Sequence, residues 1–259
     1  MAGHSKWANI QHRKGKQDKI RAKLFSRLSK EIMIAVKMGG PDIDGNPRLR
    51  LAVKNARSES MPKDNIQRAI DKASGAGADM IEEFRYEGFG PGGVGLIVEC
   101  ASDNRNRAAG DVRAAFSKNG GNMGETGSVS FGFDRVGEIR YLQSVADEDA
   151  MMEAALEAGA TDVDEGESEP DNFDEVHAQH VIYCAFEDLA EVSAALEAKF
   201  GEAAGTAIIW KPQNLVPVDS DKVEGLMKLL AALEDVEDVQ TVFGNYDISD
   251  EDMAKLAAA

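Results

Sequence analysis

The chain has only two cysteines in 259 residues, Cys100 and Cys184, each inside an apolar strand-like run (LIVEC and VIYCA). That excludes a disulfide framework and a cysteine-based zinc site, and it fits small buried core residues in a reducing compartment. No apolar run approaches the roughly 20 residues a membrane helix needs. The N-terminus has no apolar stretch of the secretory kind, and its Gly, His and Trp argue against a transit peptide. The expected location is the cytoplasm, with no membrane partner. Catalytic groupings are also missing. No Ser or Cys stands in a nucleophile-elbow context. His177 and His180 have metal-like spacing, but on a strand positions three apart point to opposite faces. The acidic stretch Asp162–Glu175 lacks the alternation of a calcium loop and reads as a solvated loop. The expectation is a non-enzyme with no catalytic residues, no metal, no cofactor and no small-molecule substrate.

Charge is present in quantity and is segregated. Residues 1–72 hold 17 Lys+Arg and 7 Asp+Glu, a net of +10. The remainder holds 29 − 17 = 12 basic and 46 − 7 = 39 acidic side chains, a net of −27, giving the overall −17. A basic end attracts polyanions while an acidic body keeps the rest of the molecule away from them.

The basic end has two parts. Residues 1–18 lack a periodic apolar face, with Trp7 and Ile10 the only large apolar side chains after Met1. Such a segment cannot bury enough surface to fold alone and reads as an arm. From Lys19 the apolar residues Ile20, Leu24, Leu28, Ile32 and Val36 recur every four positions, the stripe of an amphipathic helix. Lys19, Arg21, Lys23, Arg27 and Lys30 fall largely off that stripe. Gly39, Gly40 and Pro41 end it. Asn46 then caps a second helix with Pro47 at its first position. Leu49, Ala52, Val53 and Ala56 face inward, whereas Arg48 need not. Pro62 opens a third helix, with Ile66, Ala69, Ile70 and Ala73 inward.

Beyond a Ser74–Ala78 linker the periods shorten. Strands are expected at Phe84–Phe89 and Val94–Ala101, joined by the glycine-rich GFGPGGVG (Gly88–Gly95). A strand, not a helix, follows that loop, so it is a hairpin turn and not a phosphate cradle. A helix is expected at Asn104–Asn119, then a glycine-rich loop and a strand at Ser128–Phe133. Residues 137–211 read as strand, helix, strand, strand, helix, strand. The helix Glu148–Gly159 carries Met152, Ala155 and Leu156, and Glu165–Glu175 is an acidic loop. The order βαββαβ is ferredoxin-like. The tail supplies a strand at Leu215–Val218, a helix at Asp221–Leu233, a strand at Val239–Tyr246 and a short terminal helix.

The fold class expected is α+β: an N-terminal three-helix domain plus two α/β domains, one ferredoxin-like and inserted into the other. Their bounds are 1–78, 79–135 with 212–250, and 136–211, with the tail completing the interrupted domain. The candidate nucleic-acid-binding residues are His4, Lys6, Trp7, Arg13, Lys14, Lys16, Lys19, Arg21, Lys23, Arg27, Arg48, Lys63 and Arg68. The cations would neutralise phosphates in a salt-sensitive way, and Trp7 would stack on a base. The three helices lack helix-turn-helix spacing, so base-specific reading is not expected. A basic arm that folds against a polyanion suits structured RNA at least as well as duplex DNA.

Several motifs in order resemble the YebC/PmpR family: AGHSKWANI (Ala2–Ile10), MPKDNI (Met61–Ile66) with RAI (Arg68–Ile70), YEGFGPGG (Tyr86–Gly93), DNRNR (Asp103–Arg107) and GSV (Gly127–Val129). The likeness runs from the N-terminus to the last strand. Departures are small: Ser58–Ser60 before Met61, with Glu59 weakening the local basic character, and Phe89 where Tyr is common. The resemblance implies a helical domain and two α/β domains around a cleft. It also implies a regulator of gene expression that contacts nucleic acid. One implied role is a DNA-binding transcriptional regulator. The other, through mitochondrial members that activate translation of cytochrome oxidase, is an RNA-binding factor meeting rRNA or tRNA on the ribosome and easing proline-rich stretches. A monomer is the expected state.

Overall fold

A computed structural model of the chain describes residues 17–75, 81–168 and 176–258. The fold is mixed α+β. Its first part is three helices, α1 (Gln17–Gly39), α2 (Pro47–Ser58) and α3 (Lys63–Ser74). Their facing stripes make one core, with Ile32, Leu49, Ala52, Val53, Ala56, Ile66 and Ile70 all buried. Asn46 starts α2 by accepting from the Leu49 N–H at 3.1 Å. Its amide also donates to the carbonyls of Ala35 and Gly40, at 2.7 and 2.8 Å, and so closes the end of α1. One side chain therefore satisfies orphan groups at two helix termini.

The chain then divides into two compact units. One holds the three helices, residues 81–134 and the tail from residue 212; the other is residues 135–211. In the first unit β1 (Glu82–Phe89) and β2 (Gly95–Ser102) form a hairpin, and β9 (Val239–Gly244) from the tail pairs antiparallel with β2. The sheet order is β3-β1-β2-β9, with β3 (Asn122–Met123) a two-residue edge. Between neighbours on both sides, β2 is buried at nearly every position. Helices α4 (Arg105–Lys118) and α7 (Ser220–Glu234) pack against each other and this sheet. Asn104 caps α4 through the Arg107 N–H at 3.0 Å. Gly92 and Gly93 turn the hairpin at φ of 85° and 75°, the left-handed region that glycine occupies without strain.

The second unit is the ferredoxin-like insert: β4 (Phe133–Leu142), α5 (Glu148–Glu157), β5 (Asp162–Glu167), β6 (Ala178–Ala185), α6 (Leu189–Phe200) and β7 (Gly205–Pro212). Its sheet order β5-β6-β4-β7 puts the first and third strands of the βαββαβ run in the middle. The tail adds β8 (Val216–Pro217), paired parallel with β10 (Tyr246–Asp247), and α8 (Asp250–Ala258).

Several local expectations give way. Ser128–Phe133 is not a strand: residues 130–132 form a 3-10 turn and β4 begins at Phe133. The reason is Glu87, whose buried carboxylate accepts the N–H groups of Gly127, Val129 and Ser130 at 3.0, 2.7 and 2.9 Å. Those donors cannot also serve a strand ladder. On α5 the buried residues are Met151, Ala154 and Ala155, while Leu156 is 56% exposed, so the inward face is one position earlier than the apolar pattern suggested. The strand expected over Val239–Tyr246 breaks at Asn245, whose side chain accepts from the Gly95 N–H at 2.7 Å. β5 extends through Glu167 into the expected acidic loop because it is paired there with β6, Glu167 opposite Ala178. The rest of that loop, 169–175, and most of the Ser74–Ala78 linker lie outside the described residues.

Candidate nucleic-acid interface

Of the candidate residues, His4, Lys6, Trp7, Arg13, Lys14 and Lys16 lie outside the described residues, and Lys19 is placed only as a position on α1. The others divide according to what they meet. Lys23, Arg27 and their neighbour Lys30 lie on the face of α1 that meets the turn between α7 and β9. Lys23 pairs with Asp235 at 3.2 Å, Arg27 donates to the Glu234 carbonyl at 3.1 Å, and Lys30 pairs with Asp238 at 3.2 Å. Lys30 also donates to the Ala101 and Glu237 carbonyls at 3.1 and 3.0 Å. Burial lowers the Lys23 pKa and Arg27 adds to this, with Asp235 working the other way.

Arg48 is likewise engaged within the chain, at 3.0 Å from Glu31 and 2.6 Å from Glu83. Burial works against its charge, but the hydrogen bonds to Glu83 and Glu31 outweigh that and raise its pKa. Asp238 and Glu83 were not candidates in the sequence. Asp238 was readable only as part of an acidic run, EDVED (Glu234–Asp238), whose partners on α1 lie over 200 positions away, and Glu83 lies 35 positions from Arg48.

Arg21, Lys63 and Arg68 remain exposed. Arg21 lies over the Phe25 ring at 5.4 Å. Arg68 is braced along α3 by the Asp64 carbonyl at 3.1 Å and by the Asn65 side chain. It lines, with Lys72, a groove of about 610 Å³ that Phe25, Met33 and Met61 also line. Asp103, Arg107, Glu237 and Asp238 line the same groove, so it is mixed in charge. The outward candidates thus sit on α3 and the start of α1, while the middle of α1 is docked on backbone carbonyls and carboxylates.

His180 is buried with a ring nitrogen 2.8 Å from the Ala146 carbonyl, and His177 is exposed. Cys100 and Cys184 are buried free thiols. Among the described residues no three His, Cys, Asp or Glu side chains converge as a metal site requires, and no helix is long and apolar enough to cross a membrane.

Residues 5–76 match the family described as TACO1/YebC protein N-terminal domain, and residues 81–246 match TACO1/YebC second and third domain. The chain belongs to the TACO1/YebC family. It is 65% identical over 256 residues to a probable transcriptional regulatory protein of Maricaulis maris, covering 99% of this chain and all of that one. The crystal structure of a conserved hypothetical protein from Aquifex aeolicus shares the fold with a TM-score of 0.79. It is 40% identical, and the match covers 91% of this chain and 93% of that one.

Proposed function

We propose that this protein is a non-enzymatic, cytoplasmic, nucleic-acid-binding regulator of gene expression, and that it acts as an RNA-binding translation factor on the ribosome. The observation that carries this reading is the division of charge, +10 over residues 1–72 against −27 over the rest. The arm would enter among rRNA or tRNA phosphates. Lys6, Arg13, Lys14 and Lys16 would neutralise charge and Trp7 would stack, with Arg21, Lys63 and Arg68 on the helices extending the contact. Lys23, Arg27 and Arg48 would contribute by fixing the helices, since their charges are met within the chain. The acidic body would keep the bound protein oriented with its basic end toward the polyanion. Its proposed activity is the easing of translation through proline-rich stretches.

A second reading is a DNA-binding transcriptional regulator using the same residues, favoured by the Maricaulis relative, which is named a probable transcriptional regulatory protein. Sucrose-gradient sedimentation of cell extracts at low salt separates the two. Co-sedimentation with ribosomal particles, lost at high salt, is expected. Protein that stays in light fractions and prefers one promoter fragment over bulk DNA would overturn the ribosomal reading in favour of the second.

A further inference from the structure

Beyond residue 72 the chain has 12 basic against 39 acidic side chains, yet five of those 12 fall between Arg85 and Lys118. Helix α4 carries four of them against one acid, Asp111, a net of +3 on an acidic body. Arg107 is turned to Asp238 and Asp103, at 3.0 and 3.1 Å. Arg105 and Arg113 are both exposed and stand about two turns apart, so they share a stripe of the helix.

That stripe borders β1. Tyr86 and Gly88 lie on the α4 side of the strand: the Tyr86 hydroxyl donates to the Arg105 carbonyl at 3.0 Å, and a methyl at Gly88 would strike the Phe116 ring of α4. Strand alternation places Phe84 on that side too. The Arg105 guanidinium lies 5.4 Å over the Phe84 ring, and the Phe84 and Tyr86 rings meet edge to face at 5.5 Å and 66°. Both rings are half-buried. Partial burial raises the Tyr86 pKa, and the positive charges of Arg105 and Arg113 oppose that rise. Among the described residues β3 pairs with β1 only at Gly88 and Phe89, so the strand beside these rings is an open edge.

Two aromatic rings on β1, beside a net-positive helix of an acidic body that exposes Arg105 and Arg113, have the chemistry of a stacking platform with phosphate contacts. We infer that Phe84, Tyr86, Arg105 and Arg113 bind an unpaired stretch of nucleic acid, a base stacking on the rings and the guanidiniums taking the flanking phosphates. A duplex is disfavoured because its bases are already stacked. The inference rests on the nucleic-acid reading above, but it names a contact separate from the arm and the helical bundle.

The test is fluorescence anisotropy of the full-length protein with a labelled single-stranded RNA, the same sequence as single-stranded DNA, and the duplex, across a salt series. The Arg105→Ala/Arg113→Ala double variant should bind both single strands about tenfold more weakly. Its slope of log affinity against log salt should fall by about 1.4, at about 0.7 per lost phosphate contact. Tyr86→Leu should also lose about tenfold with little change in slope, and Tyr86→Phe, which keeps the ring, should bind as the parent does. Single-strand affinity and slope unchanged in both the double variant and Tyr86→Leu would overturn the inference. So would an equal loss on the duplex with Tyr86→Leu. If deletion of residues 2–18 abolishes binding while the cluster variants bind normally, the proposed function stands and this inference falls. A parent protein that binds none of the three overturns both.

Discussion

Lys30 on α1 and Asp238 before β9 form an ion pair at 3.2 Å, with side chains only 14% and 3% exposed. Asp238 also accepts from Arg107 Nε and from its terminal nitrogen at 3.2 and 3.0 Å. One buried carboxylate therefore joins the helical bundle to the start of α4. Removing it takes away the carboxylate partner of Lys30 and leaves Arg107 with Asp103 as its carboxylate partner.

Asp238→Ala should accordingly destabilise the protein by about 3 kcal/mol, the scale seen when one partner of a buried pair is lost. Asp235→Ala removes the partner of Lys23 from a side chain that is 68% exposed, and should cost less than about 1 kcal/mol. Urea denaturation of the two variants, read by circular dichroism, checks the contrast. Equal midpoints would show that the Lys30 pair holds nothing together.

Glu87 gives a pH dependence. Burial opposes its ionisation, but the N–H groups of Gly127, Val129 and Ser130 outweigh that and hold its pKa at about 2, below its ordinary 4.5. A depressed pKa stabilises the fold above the ordinary value, and the contribution is lost as pH falls from 4.5 toward 2. Glu87→Gln should therefore lower stability by about 3 kcal/mol at pH 7, at about 1.4 kcal/mol per unit. The gap between variant and parent should narrow steadily below pH 4.5. A gap independent of pH would show that the carboxylate's charge is not what holds the loop.

Gly88 stands where β1 meets β3 and α4. A methyl there would lie 2.7 Å from the Asn122 carbonyl oxygen and 2.8 Å from the Phe116 ring. Gly88→Ala should cost about 1–3 kcal/mol, as overpacking usually does. Gly110→Ala, where a methyl meets nothing within 4 Å, should be neutral or slightly stabilising through helix propensity. Thermal melts of the pair distinguish packing from a general intolerance of substitution.

Deleting residues 2–18 removes Lys6, Arg13, Lys14 and Lys16. If the arm carries the nucleic-acid contact, binding to polyanions should be lost or its salt slope should drop by about 3, at about 0.7 per cation for a single strand. The circular dichroism spectrum should change little. Unchanged affinity would move the function to the helices and the body.

The thiols supply a reactivity prediction. Burial raises Cys100 to about 12 and Cys184 to about 11, with Asp238 and Asp188 adding to the respective effects. Both should resist a thiol reagent at pH 7.5 in the folded protein and react once it is unfolded in guanidinium. Prompt labelling of either in the native state would mean that its strand opens.

The sequence by itself determined whatever depends on near neighbours. The four-residue stripe from Ile20 to Val36 gave α1, Asn46 and Asn104 announced two helix starts, and the order of short periods after residue 136 gave the ferredoxin-like insert. The charge division was legible because it is a count. What only the tertiary structure decided was the use of each charge. Lys23, Arg27 and Arg48 read as an outward cationic face, yet they meet Asp235, the Glu234 carbonyl and the carboxylates of Glu31 and Glu83. Glu87 read as one more strand residue, yet it gathers three N–H groups some 40 positions away and unmakes an expected strand. Helix and strand periods are written in spacings of two to four residues. Ion pairs and carboxylate nests depend on distances in space that packing sets between remote segments, and no local pattern records them.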